Sequence, residues 1–286
     1  MFIIQIPYLN LNQTYNSGQC LRWYKINDDK FIVIHGDKIV KVSQNKDRFC
    51  FDCTEEVFYN TWFDYFDMQT DYLSYNYKSK KIDDEMVQIA CVRGSGIRLI
   101  KRGMYESVVT SIIDDFCNGD NAITMSVINI LCNNIGKKHV NTIRDIGRFV
   151  WHEFPSAYSM TRNKDVFRKL IDLEYLTKAQ VIILRQICLY IDVKGFKGLP
   201  KYMKEKGLEY AIGSINLFGR HKLNYMPMNY MLVEAIETCT DCGDAEYLLY
   251  AMEDASVINI CGLIGRYIYY NKYNPPRRLH GVQLCF

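Results

Sequence analysis

The chain has 286 residues, a formal charge of +3, 49% hydrophobic residues and 23% charged residues. That composition supports one compact molecule of two or three lobes with ample core, and it excludes an intrinsically disordered chain. The mild positive charge allows a nucleic-acid partner without requiring one.

The first residues, Met1-Phe2-Ile3-Ile4-Gln5-Ile6-Pro7, lack a basic region followed by a long apolar core, so a secretory signal is not expected. No apolar run approaches the roughly 18 residues of a membrane span. Eleven cysteines without a signal point to a reducing compartment, the cytoplasm, nucleoid or nucleus. They are scattered like small apolar fillers. Cys239-Thr240-Asp241-Cys242 is the single C-x-x-C and has no second pair or nearby His, so neither a metal nor a cofactor is expected.

Residues 2–6 alternate weakly and reach Pro7. Residues 31–36 are β-branched and close on Gly36-Asp37, residues 38–42 alternate charged and apolar, and residues 49–53 read as another strand. Short strands separated by Gly-Asp and Asn-Lys-Asp turns predict an antiparallel sheet over residues 2–53. Thr54-Glu55-Glu56-Val57 predicts a helix start, with a Thr cap and acids where the helix dipole favours them. After about residue 82 the periodicity becomes helical, over 83–91 and 104–113, with Glu106 early in the second. Further helices are expected over 122–135, 141–151, 164–172, 177–191, 199–213, 229–238, 244–251 and 255–270. Asn274-Pro275-Pro276-Arg277-Arg278 ends the last of them. Strands first and helices afterwards give an α+β class, a sheet lobe followed by two helical lobes.

Three stretches carry a resemblance. Ser17-Gly18-Gln19-Cys20-Leu21-Arg22-Trp23 is similar to the S-G-Q-[SC]-F-R-W loop of 8-oxoguanine DNA glycosylases. Tyr65-Phe66-Asp67-Met68-Gln69-Thr70-Asp71-Tyr72, then Gly96-Ile97-Arg98-Leu99-Ile100-Lys101 and Glu106, resemble their next two motifs. Leu208 to Gly219 with Tyr225-Met226-Pro227-Met228-Asn229 resembles the catalytic hairpin, helix and Pro-x-Asp turn of the helix-hairpin-helix DNA glycosylases. The three fall in family order and span nearly the whole chain. The resemblance implies a TATA-binding-protein-like antiparallel sheet lobe over 1–104, a helical lobe over 105–200, and a second helical lobe over 201–286 carrying a degenerate hairpin. It also implies a cleft into which a damaged base is flipped.

The family places a nucleophilic Lys and a catalytic Asp nineteen residues apart; here those positions hold Tyr210 and Asn229. Tyr cannot form the Schiff base of a bifunctional glycosylase. Asn is neutral and cannot stabilise positive charge on the sugar, a loss of about 10²–10³ in rate; its plainer reading is a helix cap. The carbonyl of Gly18 corresponds to the acceptor for N7 of 8-oxoguanine, against the plainer reading of a turn. Tyr269 is placed to stack on the base, while Gly265 stands where the family has a base-reading Gln.

The backbone-gripping turn corresponds to Lys204-Glu205-Lys206-Gly207-Leu208, where phosphate contact shifts to Lys204 and Lys206 with Gly207, or the segment is a solvated helix end. Phe116 and Asn118 lie where the family wedges the duplex, in a stretch with three acids that repel phosphate; for Phe116, core packing competes. The expected partner is duplex DNA, damaged or abasic, and the expected state is a monomer. Three functions remain open: a DNA-binding family member with lost or strongly altered catalysis, a monofunctional glycosylase of changed lesion specificity, and a protein-interaction module on the glycosylase scaffold.

Overall fold

A computed structural model describes residues 1–73, 77, 94–208 and 211. The described residues fall into two compact units, one ending at Arg102 and one starting at Gly103. The class is α+β, with an N-terminal antiparallel sheet and helices, as the sequence predicts.

The first unit is built on strands β1 (Phe2–Gln5), β2 (Trp23–Asn27), β3 (Lys30–His35), β4 (Lys38–Asn45) and β5 (Arg48–Phe51), in the order β1-β5-β4-β3-β2. All pairings are antiparallel. Alternation sets the buried face: Phe31 pairs Val42, Val42 pairs Phe51 and Phe51 pairs Phe2, so one row of apolar side chains crosses the sheet. Thr54 caps the following helix by accepting from the Val57 N–H at 3.3 Å. The 55–65 helical segment then lays Phe58, Trp62 and Tyr65 on that face, where they form one core with Trp23, Phe31 and Phe66. The Phe58 ring lies 4.7 Å from Phe2 and 4.8 Å from Phe51.

β2 was not expected, because Trp23 to Asn27 reads as the tail of a loop. Its pairing with β3 is interrupted by a bulge between Lys25 and Asn27, which leaves too short an alternation to register in sequence.

The second unit contains helices Met104–Phe116, Asn121–Ile135, Ala157–Arg162, Lys164–Asp172, Lys178–Lys194 and Leu199–Glu205. The 178–194 helix opens on a capping box between Thr177 and Gln180. The expected helix over 141–151 is instead a hairpin, β6 (Lys138–Ile143) with β7 (Gly147–His152). Ile143, Ile146 and Phe149 have a helix-like spacing, but Asp145 (φ 65°) and Gly147 (φ 86°) hold a reversal no helix accommodates. The segment expected as a helix to residue 213 stops at Glu205, because Gly207 takes φ 73°. The 157–162 helix, capped by Ser156, was not foreseen. Among the described residues no helix is long and apolar enough to cross a membrane, and no cluster of His, Cys, Asp or Glu could hold a metal ion. Cys20, Cys117, Cys132 and Cys188 are buried.

Candidate functional site

The loop bearing Gly18 is shaped by its own sequence. Asn10 caps the Leu11–Thr14 helix by accepting from the Gln13 N–H at 2.8 Å. The chain continues through a wide turn over Tyr15–Gln19, broken at Gly18, which adopts φ 80°, ψ −5°. A residue with a Cβ is strained there. Ser17 turns its hydroxyl back onto the Thr14 carbonyl at 2.6 Å, and the Cys20 thiol donates to the same oxygen at 3.2 Å. Ser17, Gln19 and Cys20 are buried; Gly18 between them is half-exposed.

Gln19 and Arg98 connect this loop to the other two motifs. The Gln19 Nε2 donates to the Ser17 hydroxyl at 2.8 Å and the Arg98 carbonyl at 2.7 Å, while its Oε1 accepts from the Ile100 N–H at 2.7 Å. Arg98, 4% exposed, spends its guanidinium on three carbonyls: Pro7 (2.7 Å), Asp67 (3.0 Å) and Tyr8 (3.2 Å). It lies over the Tyr72 ring at 4.4 Å. The Tyr72 hydroxyl donates to Asp67 at 2.8 Å and accepts from the Leu99 N–H at 3.1 Å, and Thr70 donates to the other Asp67 oxygen at 2.9 Å. Gly96 approaches so closely that a Cβ there would meet the Asn10 Cβ at 2.6 Å. Lys101 pairs with Asp64.

Trp23 is a core residue whose indole N–H donates to Tyr65 at 2.8 Å. The stretches 17–23, 65–72 and 96–101 are therefore one interlocked structure with Gly18 at its half-exposed point. Sequence reading assigned no role to Gln19, Asp67, Tyr72 or Arg98; a buried Arg and Asp in apolar company was the available signal.

In the second unit, Phe116 ends the 104–116 helix and is half-buried, and its carbonyl accepts from the Gln180 Nε2 at 3.1 Å. Asn118 (φ 54°) is exposed at the turn. Asp120 caps the next helix, accepting from the Ala122 and Ile123 N–H groups at 2.9 and 3.0 Å. Asp114 accepts from Thr124 at 3.4 Å. These two acids serve the turn as well as carrying charge.

The Lys204-to-Leu208 segment forms a Schellman motif: the Leu208 N–H donates to the Met203 carbonyl at 3.1 Å and the Gly207 N–H to the Lys204 carbonyl at 3.0 Å. Both N–H groups are thus committed to the helix. Lys204 is exposed and Lys206 half-buried. Tyr210, Asn229 and Tyr269, with Gly265 and the Cys239–Cys242 pair, lie outside the described residues.

Residues 1–108 match the family model described as 8-oxoguanine DNA glycosylase, N-terminal domain. These residues are similar to that domain. The interlocked stretches 17–23, 65–72 and 96–101, including Gly18 and Arg98, fall inside it. In fold the chain is similar to solved 8-oxoguanine glycosylases. It superposes on the Clostridium acetobutylicum 8-oxoguanine glycosylase/lyase, in complex with DNA containing cytosine opposite 8-oxoguanine, at TM-score 0.68 and 18% identity, covering 96% of this chain and 98% of that one. MBOgg1 in complex with a low-affinity DNA ligand gives 0.65 and 19%, covering 95% of each. The 3-methyladenine DNA glycosylase of Archaeoglobus fulgidus gives 0.59 and 9%, covering 96% and 99%. No curated protein sequence matches the chain.

Proposed function

We propose that this protein is a base-excision-repair-type DNA glycosylase scaffold that binds duplex DNA and has lost, or strongly altered, the cleavage chemistry. The observation that carries the reading is a contrast. The N-terminal interlock that presents Gly18 is complete, whereas the positions for the nucleophile and the carboxylate hold Tyr210 and Asn229. An amine is needed for a Schiff base and a carboxylate for the developing sugar cation; neither residue supplies one. Gly18 is the base-reading position in this scheme, supported by its left-handed backbone and half-exposed place between buried neighbours. Tyr269 is the stacking partner. Backbone contact falls to the side chains of Lys204 and Lys206, since the Gly207 and Leu208 N–H groups already have partners. Phe116 and Asn118 hold the position where the family wedges the duplex. Solved structures of this fold in complex with DNA support the choice of partner.

The deciding experiment uses purified full-length protein and duplexes carrying 8-oxoguanine, uracil, an alkylated base, an abasic site or none. The expected outcome is measurable binding, tightest for a lesion or abasic duplex, with no base released and no covalent complex trapped by borohydride. Release of free base from any substrate would establish a working glycosylase of changed specificity instead. Absence of binding to every duplex would favour a protein-interaction module, the reading to which the acids of the 114–121 turn and the closed Schellman motif lend support.

A further inference from the structure

The corner joining the 178–194 and 199–205 helices carries positive charge that its fold does not use. Residues 194–206 hold five lysines, at 194, 197, 201, 204 and 206, against one acid, Glu205. Four are exposed and Lys206 is half-buried. Among the described residues none of the five is in an ion pair. Lys201 stands in the first turn of the 199–205 helix, where the dipole disfavours a cation, and that turn has no acid to offset it.

The corner is also held in shape. The rings of Tyr190 and Tyr202, one from each helix, stack with centroids 4.5 Å apart and planes at 15°. The Lys194 ammonium sits 5.3 Å from the centre of the Tyr190 ring, and the Lys206 ammonium 5.4 Å from that of Tyr202. The Tyr190 hydroxyl donates to the Lys197 carbonyl at 2.8 Å, pinning the connecting segment to the longer helix. Each ring thus carries a cation, and the linker lysine is fixed through its backbone.

We infer that this corner is a DNA-backbone contact surface extending beyond Lys204 and Lys206, in which Lys194, Lys197 and Lys201 neutralise phosphates and the Tyr190–Tyr202 stack positions Lys194 and Lys206. The inference rests on the duplex-binding reading above. Compact, flexible ammonium groups suit the dense, repeating charge of a duplex; an acidic protein partner, with discrete carboxylates, is the competing occupant.

The test is the salt dependence of binding, read by anisotropy of a labelled duplex with the full chain. Each phosphate contact contributes about 0.9 to the slope of log K against log salt. The Lys194→Gln, Lys197→Gln, Lys201→Gln triple variant should lower that slope by about 2–3 with little change in melting temperature, since among the described residues the three make no ion pair and only the exposed contact of Lys194 with the Tyr190 ring is lost. Tyr202→Phe should keep the wild-type slope, whereas Tyr202→Leu, which removes the ring under Lys206, should lower it by about one. A wild-type protein that binds duplex beside a triple variant of unaltered slope would overturn the corner and leave the duplex reading intact. A wild-type protein that binds no duplex at any salt removes both. Loss of affinity for polyglutamate, with duplex affinity kept, would assign the corner to an acidic protein and also overturn the proposal.

Discussion

The side-chain amide of Gln19 spans two backbone groups seventy-nine and eighty-one residues away: it donates to the Arg98 carbonyl and accepts from the Ile100 N–H, each at 2.7 Å. Both ends are buried. The residue beside Gly18 therefore holds the loop against a distant part of the chain by one planar group satisfied on both sides.

Replacing Gln19 with Leu should leave the Arg98 carbonyl and the Ile100 N–H buried without partners. Each such group costs about 1–3 kcal/mol, so the first unit should lose about 2–6 kcal/mol. Denaturant unfolding followed by Trp fluorescence checks this. A loss under about 1 kcal/mol would show that the loop is held by its local Ser17 and Cys20 bonds to Thr14 instead.

Gly18→Ala places a Cβ on a backbone at φ 80°, which costs roughly 1–2 kcal/mol. In the reading proposed here it should also weaken binding to an 8-oxoguanine duplex while leaving an undamaged duplex nearly unaffected. Equal losses on both duplexes would make Gly18 a turn residue only.

Tyr105 and Cys188 lie with hydroxyl and sulfur 3.7 Å apart in the second unit. Burial pushes the Cys188 thiol up from 9.0 to about 12, and burial, with Cys188 adding to it, holds the Tyr105 phenol protonated well above its usual range. In the unfolded chain the thiol ionises near 9. Between that pH and about 12 the unfolded state therefore binds fewer protons than the folded one, so stability is full below pH 9 and falls as the pH rises. The decline should reach up to about 1.4 kcal/mol per pH unit for this thiol. Chemical denaturation between pH 8 and 10 should show a steeper decline in the wild type than in Cys188→Ala, which keeps the contributions of Cys53 and Cys117, both also pushed up by burial to about 11. Parallel curves would mean the thiol is not held in a water-free site.

In the reading proposed here, Asn229→Asp returns the missing carboxylate, and Tyr210→Lys the missing amine. Asn229→Asp alone should raise base release from a lesion duplex by about 10²-fold or more. The double variant should in addition form a borohydride-trappable complex, as a Schiff base requires. Silence of the double variant toward every lesion, with duplex binding retained, would show that the cleft has diverged beyond these two positions.

The strands of the first unit were legible wherever side chains alternate across a half-buried sheet: Lys38 to Val42 announces β4 because charged and apolar residues take opposite faces. The 141–151 hairpin was not legible, because its apolar residues recur at intervals a helix also produces and the deciding feature, the φ of Asp145 and Gly147, is not a periodicity. At the site, the motif residues were found but their physics was not. Gln19, Asp67, Tyr72 and Arg98 act across about thirty to eighty residues of sequence, and only the folded chain brings their donors and acceptors together. The lysine corner was missed for a related reason, since Tyr190 and Tyr202 are twelve positions apart and become neighbours only when the chain turns between two helices.

The strand order has a consequence for how the protein is made. Among the described residues β1 at residues 2–5 pairs with β5 at residues 48–51, so the earliest of the five strands waits for the last of them before it can pair. The β2–β5 meander, by contrast, consists of neighbours joined by tight turns and assembles as it emerges. β1 is then the closing seam of the sheet, and its pairing is the final step of the sheet's assembly rather than an early one.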